Sequence, residues 1–272
     1  MRLRTLLMSS LALALLTGVA RAETMPFAAH RAVYDLALLK STGRKAPEAV
    51  SGRIIMEFTG SACEGYITNF RQVTELQPAE GDAHTADMRS TTYEDGEAKT
   101  FNFKIETKID AITTESIDGS ASHGSDGAMK INLQKPLPAK FDRDKGILFP
   151  TEHMRHILNV AREGGKLVET QAYDGSDDGQ KIFNTLSVIG AVIDAPAQDK
   201  ALQIGPLKGV KRWPVTISYF DAGKPDNPPQ YVLSFDLYEN GIARALKLDY
   251  GDFVLGGELS ELTFLGDGAC KK

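Results

Sequence analysis

Residues 97–110 read EAKTFNFKIETKID, and in this stretch apolar and polar side chains alternate with a period of two. Phe101, Phe103 and Ile105 occupy one set of positions, and polar residues lie between them. Because successive side chains of a β-strand point to opposite faces, the pattern predicts a strand with one buried face and one solvated face.

The same alternation recurs in GAMKINLQ (127–134) and RWPVTISYFD (212–221), and weaker runs bring the predicted total to about 13 or 14 strands. Turn signals such as Asn240-Gly241 separate them, since Asn-Gly and Asp-Gly pairs accept the positive φ of tight hairpins. The sequence therefore predicts an all-β, mainly antiparallel fold. A sheet of this size must curl, close or split into two layers because its strands twist.

One helix is predicted after Phe149-Pro150, in the segment TEHMRHILNVAREGG (151–165). Its apolar residues follow the spacing i, i+3, i+4, i+7, which places them on one face of a helix. We expect Thr151 to be the N-cap and Gly164-Gly165 to end the helix. The apolar stripe is expected to pack against the curved sheet. The stripe consists of Met154, Ile157, Leu158 and Ala161.

The composition excludes several classes of protein. The chain has 272 residues, 31 Lys and Arg, 36 Asp and Glu, and a formal charge of -5. Apolar residues make up 42% and charged residues 25%, which is typical of a globular domain and not of a fibrous, wholly disordered or polytopic membrane protein. The acidic balance argues against nucleic-acid binding, which usually requires a basic excess.

Residues 1–22 have the features of a secretory signal peptide. Arg2 and Arg4 precede a short apolar run, and Ala20-Arg21-Ala22 is an A-x-A cleavage signature. The alternative is an uncleaved N-terminal anchor, although the run is shorter than the ~20 residues that span a bilayer. We expect a mature protein of one domain (23–272), exported to a bacterial periplasm or secreted.

The mature chain contains two cysteines, Cys63 and Cys270. In an exported protein, an even count of two indicates one disulfide, and only one intramolecular pairing is possible. A redox role is the alternative, but no C-x-x-C motif is present.

No motif identifies catalysis, a cofactor or a resident metal. His153 and His156 are spaced as a metal pair can be, but the order E-H-M-R-H is not the zinc motif H-E-x-x-H. DGSDDG (174–179) matches the start of a calcium loop, yet position twelve is Thr185 instead of Glu, so a polar turn is the preferred interpretation. A hydrolase is the least favoured alternative, because no nucleophile elbow or phosphate loop occurs.

The sequence resembles the cell-envelope integrity protein EipB family of Gram-negative periplasmic proteins. The resemblance extends over nearly the whole mature chain and rests on six short segments: HRAVYDLAL (30–38), GRIIMEFTGSACEGY (52–66), FPTEHM (149–154), YDGSDDGQKIF (173–183), RWPV (212–215) and the Gly-x-Cys that ends at Cys270.

The resemblance implies a β-spiral or open half-barrel with one helix, a disulfide between Cys63 and Cys270, and a role in envelope integrity without enzymatic activity. We expect the protein to bind an envelope component or a periplasmic protein. The alternative is a lipid or lipoprotein carrier, for which the concave face would hold a lipid or glycan ligand. The expected groove residues are Phe101, Phe103, Met129 and Leu133.

Overall fold

In the part of the chain that the structure describes, 15 strands and one helix follow one another. A computed structural model describes residues 26–43, 46–194, 207–224 and 226–266. The predicted signal peptide (1–22) and Cys270 lie outside these residues.

The first eight strands are β1 (His30–Ser41), β2 (Ala49–Ser61), β3 (Gly65–Gln77), β4 (His84–Glu94), β5 (Thr100–Ile109), β6 (Ile112–His123), β7 (Ala128–Lys135) and β8 (Ala139–Lys145). The remaining elements are β9 (Ile147–Leu148), α1 (Pro150–Arg162), β10 (Leu167–Ala172), β11 (Phe183–Ile189), β12 (Arg212–Asp221), β13 (Tyr231–Tyr238), β14 (Ala243–Asp249) and β15 (Phe253–Phe264).

All 15 strands belong to one sheet in which β1 pairs with both β2 and β15. The chain thus begins in the middle of the sheet, proceeds outward to β8, and returns from β9 to β15. Although β8 and β9 stand at opposite ends of the strand order, only Gly146 separates them in sequence. The two edges must therefore lie close together, and the sheet forms a nearly closed barrel.

The all-β, mainly antiparallel prediction is confirmed, with β9 and β10 as the one parallel pair among the described strands. Two strands were not predicted. The sequence of β8, AKFDRDK, is dominated by charged side chains, and β9 has only two residues, too few for a periodic signal.

Three clusters of buried side chains occupy much of the inner face of the barrel. The first joins β5, β6 and β7 to Phe149 and Tyr173, and the second joins β1, β2 and β15 to Tyr238 and Ile242. In the third, the predicted stripe of α1 packs on β10 to β13. The helix therefore lies against the concave side of the sheet, as expected.

The N-cap prediction for Thr151 is wrong. The N-cap lies two residues earlier, at Phe149, and it makes no side-chain capping hydrogen bond; the helix itself begins at Pro150. Thr151 is buried within the first turn, where its own N–H needs an acceptor. The predicted end is correct within two residues, since Arg162 is the last helical residue and Gly164 has a φ of 82°.

Candidate functional site

The inner face of the barrel can be followed from strand to strand through the pairing register. Met56 lies opposite Ala32 on one side and Phe70 on the other, and Phe70 in turn lies opposite Ser90. Ser90 lies opposite Ile105, which belongs to the first cluster. Because directly paired residues share a face of an antiparallel sheet, this whole row faces the interior.

Part of this face lies between the clusters and is only partly buried. We call it the inner patch. Its members, all on β2, β3 and β4, are Met56, Thr68, Phe70, Gln72, Met88, Ser90 and Thr92.

The inner patch combines flexible apolar side chains with hydroxyl and amide groups. Met56, Phe70 and Met88 supply apolar surface, and methionine adapts its shape to irregular partners. Gln72 lies opposite Met88 in the register, so an amide stands beside apolar surface. Such a mixture is typical of small-molecule sites, in which a few polar groups orient a mainly apolar ligand.

Sequence reasoning missed the inner patch because its strands do not alternate cleanly. In GRIIMEF (52–58), three successive apolar residues hide the period of two. On β4 the inward positions are mostly small and polar, and they resemble the solvated face of a strand. Only the register with β5 identifies which side faces inward.

The four predicted groove residues lie together on the inner face, but they are buried within the first cluster. Phe101, Phe103, Met129 and Leu133 are all 3% exposed or less. Their role in ligand binding remains a prediction, and it would require that whatever covers them move.

Residues 173–182, which we call the strap, pack on Phe101, Phe103 and Leu133. The strap links β10 to β11. A Cβ placed on Gly175 would lie 2.5 Å from the Phe103 ring, and one on Gly179 would lie 2.8 Å from Leu133. The Tyr173 hydroxyl donates to the Gly179 carbonyl at 2.7 Å, which fixes the strap's shape. Backbone therefore packs directly on the apolar face.

The DGSDDG segment (174–179) lies within the strap and forms tight turns. One carboxylate oxygen of Asp174 accepts from the N–H of Ser176, and Asp178 accepts from that of Gln180, at 2.9 and 3.0 Å. These are the local bonds that Asp makes in polar turns.

Glu94 caps the helix from a distant strand. Its carboxylate accepts the N–H groups of Thr151 and Glu152 at 2.7 and 2.8 Å. The side chain is 2% exposed, and burial raises its pKa to about 7 although both N–H bonds act to lower it. The inward direction of Glu94 follows from its register with Tyr66 and Phe101.

The histidines of α1 do not converge. His153 is buried and lies 3.3 Å from the Thr185 hydroxyl, and burial lowers its pKa to about 4. His156 is exposed on another side of the helix. Among the described residues, no three His, Cys, Asp or Glu side chains are grouped as a metal site would require.

A cavity of about 370 Å³ lies beside α1 and is open to solvent. Glu152, Arg155, His156 and Asn159 line it on the helix, and Glu169 and Thr170 line it on β10. Cation–π contacts hold Arg155 beside this cavity. Its guanidinium lies 5.7 Å from the centre of the Phe27 ring and 5.5 Å from that of Tyr66.

Cys63 lies in the turn between β2 and β3, where its N–H donates to the Ser61 hydroxyl at 3.4 Å. Because Cys270 lies outside the described residues, the disulfide between them remains a prediction.

Comparison with known proteins identifies the family. The model of the EipB-like family matches residues 21–266. The chain belongs to the EipB-like family. It is 38% identical over 243 residues to the cell envelope integrity protein EipB of Brucella abortus (strain 2308), an alignment that covers 89% of this chain and 86% of the relative.

A solved structure of this family has the same fold. The crystal structure of a β-barrel-like protein of the domain of unknown function DUF1849 from Brucella abortus matches with a TM-score of 0.83 and 36% identity. The match covers 89% of this chain and all of the solved one. The family resemblance read from the sequence is therefore confirmed, and an envelope-integrity role is supported by the relative's name.

Proposed function

We propose that this protein is a non-enzymatic periplasmic factor that supports cell-envelope integrity by binding another envelope component on the inner patch. The observation that carries the proposal is the partial exposure of Met56, Phe70 and Met88 on the inner face, beside clusters of fully buried side chains. An apolar surface left uncovered in the interior of a folded protein is typical of a binding site.

A lipid or lipoprotein carrier is the second candidate. The apolar members of the inner patch favour it, because an acyl chain gains ~0.8 kcal/mol for each methylene group it buries. The hydroxyl groups of Thr68, Ser90 and Thr92 would face the polar part of the same ligand, and they also fit a glycan. In the described residues, no helix has the length and apolar character needed to cross a membrane.

Two variants on one strand test the inner patch. Met88→Glu places a charge on the inner patch, whereas Thr91→Glu places the same charge on the exposed outer face of β4. In cells that lack the wild-type protein, we expect T91E to restore resistance to detergent and M88E to fail, with both proteins folded and equally abundant. Equal restoration by both variants would exclude the inner patch as the functional surface.

Native mass spectrometry of protein purified from the periplasm distinguishes the two candidates. A carrier is expected to retain bound lipid and to take up a fluorescent fatty acid, with uptake reduced about tenfold or more in M88E because a buried charge is costly. Consistent absence of lipid and of uptake would remove the carrier candidate and leave a different envelope component as the ligand.

A further inference from the structure

Strand β10 is paired along its whole length on one side and along only part of the other. It pairs with β11 from Leu167 to Ala172. On its other side, β9 reaches only Gln171 and Ala172. Among the residues that the structure describes, the first four of β10 therefore form a free sheet edge beside the cavity lined by α1.

The hydrogen-bond register determines which backbone groups point to this free edge. Ile189 N–H donates to the Lys166 carbonyl at 2.8 Å, so every second residue from Lys166 onward bonds to β11. The residues between them point the other way. Tyr173 confirms this, since its N–H donates to the Leu148 carbonyl at 2.9 Å on the β9 side.

Leu167 and Glu169 therefore present their N–H and C=O groups to the free edge. Within the described residues these four groups have no backbone or side-chain partner. Gly146 turns the chain away from the line of β9 with a φ of 79°, which leaves the space beside Glu169 open. A row of unpaired backbone groups is a template for another extended chain.

The free edge of β10 and the edge strand β8 differ in their protection. Strand β8 carries several exposed charged side chains, a common defence against pairing with another chain. On β10, Leu167 is 61% exposed, and its partner in the register, Val188, is 46% exposed. The free edge of β10 thus offers apolar surface next to unpaired backbone groups.

We propose that the free edge of β10 binds an extended peptide segment of a partner protein as an added strand. Only an extended backbone repeats donors and acceptors at the spacing that Leu167 and Glu169 present. This surface lies outside the inner patch, so the inference does not depend on the proposed function.

The surroundings of the edge define the peptide's chemistry. Side chains directed toward α1 would enter the 370 Å³ cavity, where they meet Glu152, Arg155 and His156. Side chains on the opposite face would lie beside Leu167 and Val188. The matching segment therefore alternates polar or charged residues with apolar residues.

Two substitutions at one position separate the backbone from the side chain. Glu169→Pro removes the outward N–H but leaves the bonds to β11, and proline is tolerated on edge strands. Glu169→Ala removes only the side chain. The probe is a fluorescein-labelled dodecapeptide, selected from a random display library on the full exported chain, with its dissociation constant measured by fluorescence anisotropy.

We expect E169A to bind the probe within about threefold of the wild-type affinity, and E169P to bind it at least about tenfold more weakly. Hydrogen exchange is expected to show protection at Leu167 and Glu169 when the probe is bound. Failure of the library to yield a binder, protection elsewhere on the chain, or equal binding by E169P would overturn the proposal.

A second measurement uses the wild-type protein and so avoids any folding defect of E169P. Methylating the backbone nitrogens of alternate residues in the probe blocks one edge of the peptide strand. One of the two alternate sets is expected to abolish binding and the other to preserve it. Equal binding of both forms would contradict strand addition, and a dimer that forms through β10 and is lost in E169P would identify a second copy as the occupant instead.

Discussion

At the level of single residues, Glu94 is the clearest case of a function that the sequence does not reveal. It lies 57 residues before Thr151, whose N–H group it accepts in the first turn of the helix. The positive end of a helix favours an anion, but the site is buried, and the loss of water outweighs that attraction. Burial accordingly raises the pKa of this carboxyl to about 7.

The raised pKa of Glu94 predicts a pH-dependent stability. Between about pH 4.5 and 7 the unfolded carboxyl loses its proton while the folded one keeps it, so the free energy of unfolding falls as the pH rises. Glu94→Gln cannot ionise. We expect the difference in unfolding free energy between wild type and E94Q to decrease by up to about 3 kcal/mol across this window, measured by urea denaturation.

Comparison with E94Q cancels the other groups that titrate here, including His153, whose lowered pKa makes the protein less stable as the pH falls. Glu75→Gln, on the exposed side of β3, is the matched control and is expected to follow the wild-type curve. A constant difference between wild type and E94Q across the window would show that Glu94 does not titrate there.

At the level of elements, the strands that could be predicted are those with one buried face and one solvent-exposed face. Phe101, Phe103 and Ile105 of β5 alternate with polar residues because the first cluster, with Phe149 and Tyr173, covers only their side of the sheet. The sequence of β8 is mostly charged, so its weak alternation could not be distinguished from that of a charged loop. The apolar stripe of the helix predicts the helix itself. It does not predict the capping group, because the acceptor is Glu94 on the distant strand β4.

The strap packs so closely on the first cluster that a side chain at Gly175 has no room. Gly175→Ala adds a Cβ within 2.5 Å of the Phe103 ring at a residue whose φ is 75°. Gly251→Ala is the matched control, with a similar φ of 86° and no atom within 4 Å of the new Cβ. Both variants carry the backbone cost of a left-handed residue, about 1–2 kcal/mol.

We expect the free energy of unfolding of G175A to be about 1–3 kcal/mol lower than that of G251A, because only G175A overpacks the first cluster. Denaturant titration followed by tryptophan and tyrosine fluorescence measures the difference. If the two variants are equally stable, the strap does not pack tightly on Phe103.

At the level of the whole molecule, closure of the barrel depends on side chains as much as on strand pairing. His123, at the end of β6, lies 2.9 Å from the Ala98 carbonyl and 3.0 Å from that of Ile147 on β9. Arg143 of β8 donates to the Gln180 carbonyl of the strap at 3.2 Å. These contacts join the two ends of the sheet, where pairing by β9 is only two residues long.

The predicted disulfide between Cys63 and Cys270 would add a covalent link at the turn that follows β2, away from the contacts of β9. Phe58 and Phe264 both lie opposite His30, on either side of β1, so the ends of β2 and β15 are two strand spacings apart, roughly 10 Å. Cys63 follows β2 at this end of the barrel, and Cys270 follows β15 by six residues in the sequence. The turn that holds Cys63 therefore lies at the end of the barrel where β15, the last described strand, ends.

Cys63→Ser and Cys270→Ser are each expected to lower the free energy of unfolding by about 2–5 kcal/mol, since the bridge restricts the unfolded chain across a long loop. Thermal melting and limited proteolysis under non-reducing conditions measure this loss, and circular dichroism is expected to remain that of a β-protein. The double variant should be no less stable than either single one, because both remove the same bond. Single variants that melt at the wild-type temperature would show that the two sulfurs are not joined.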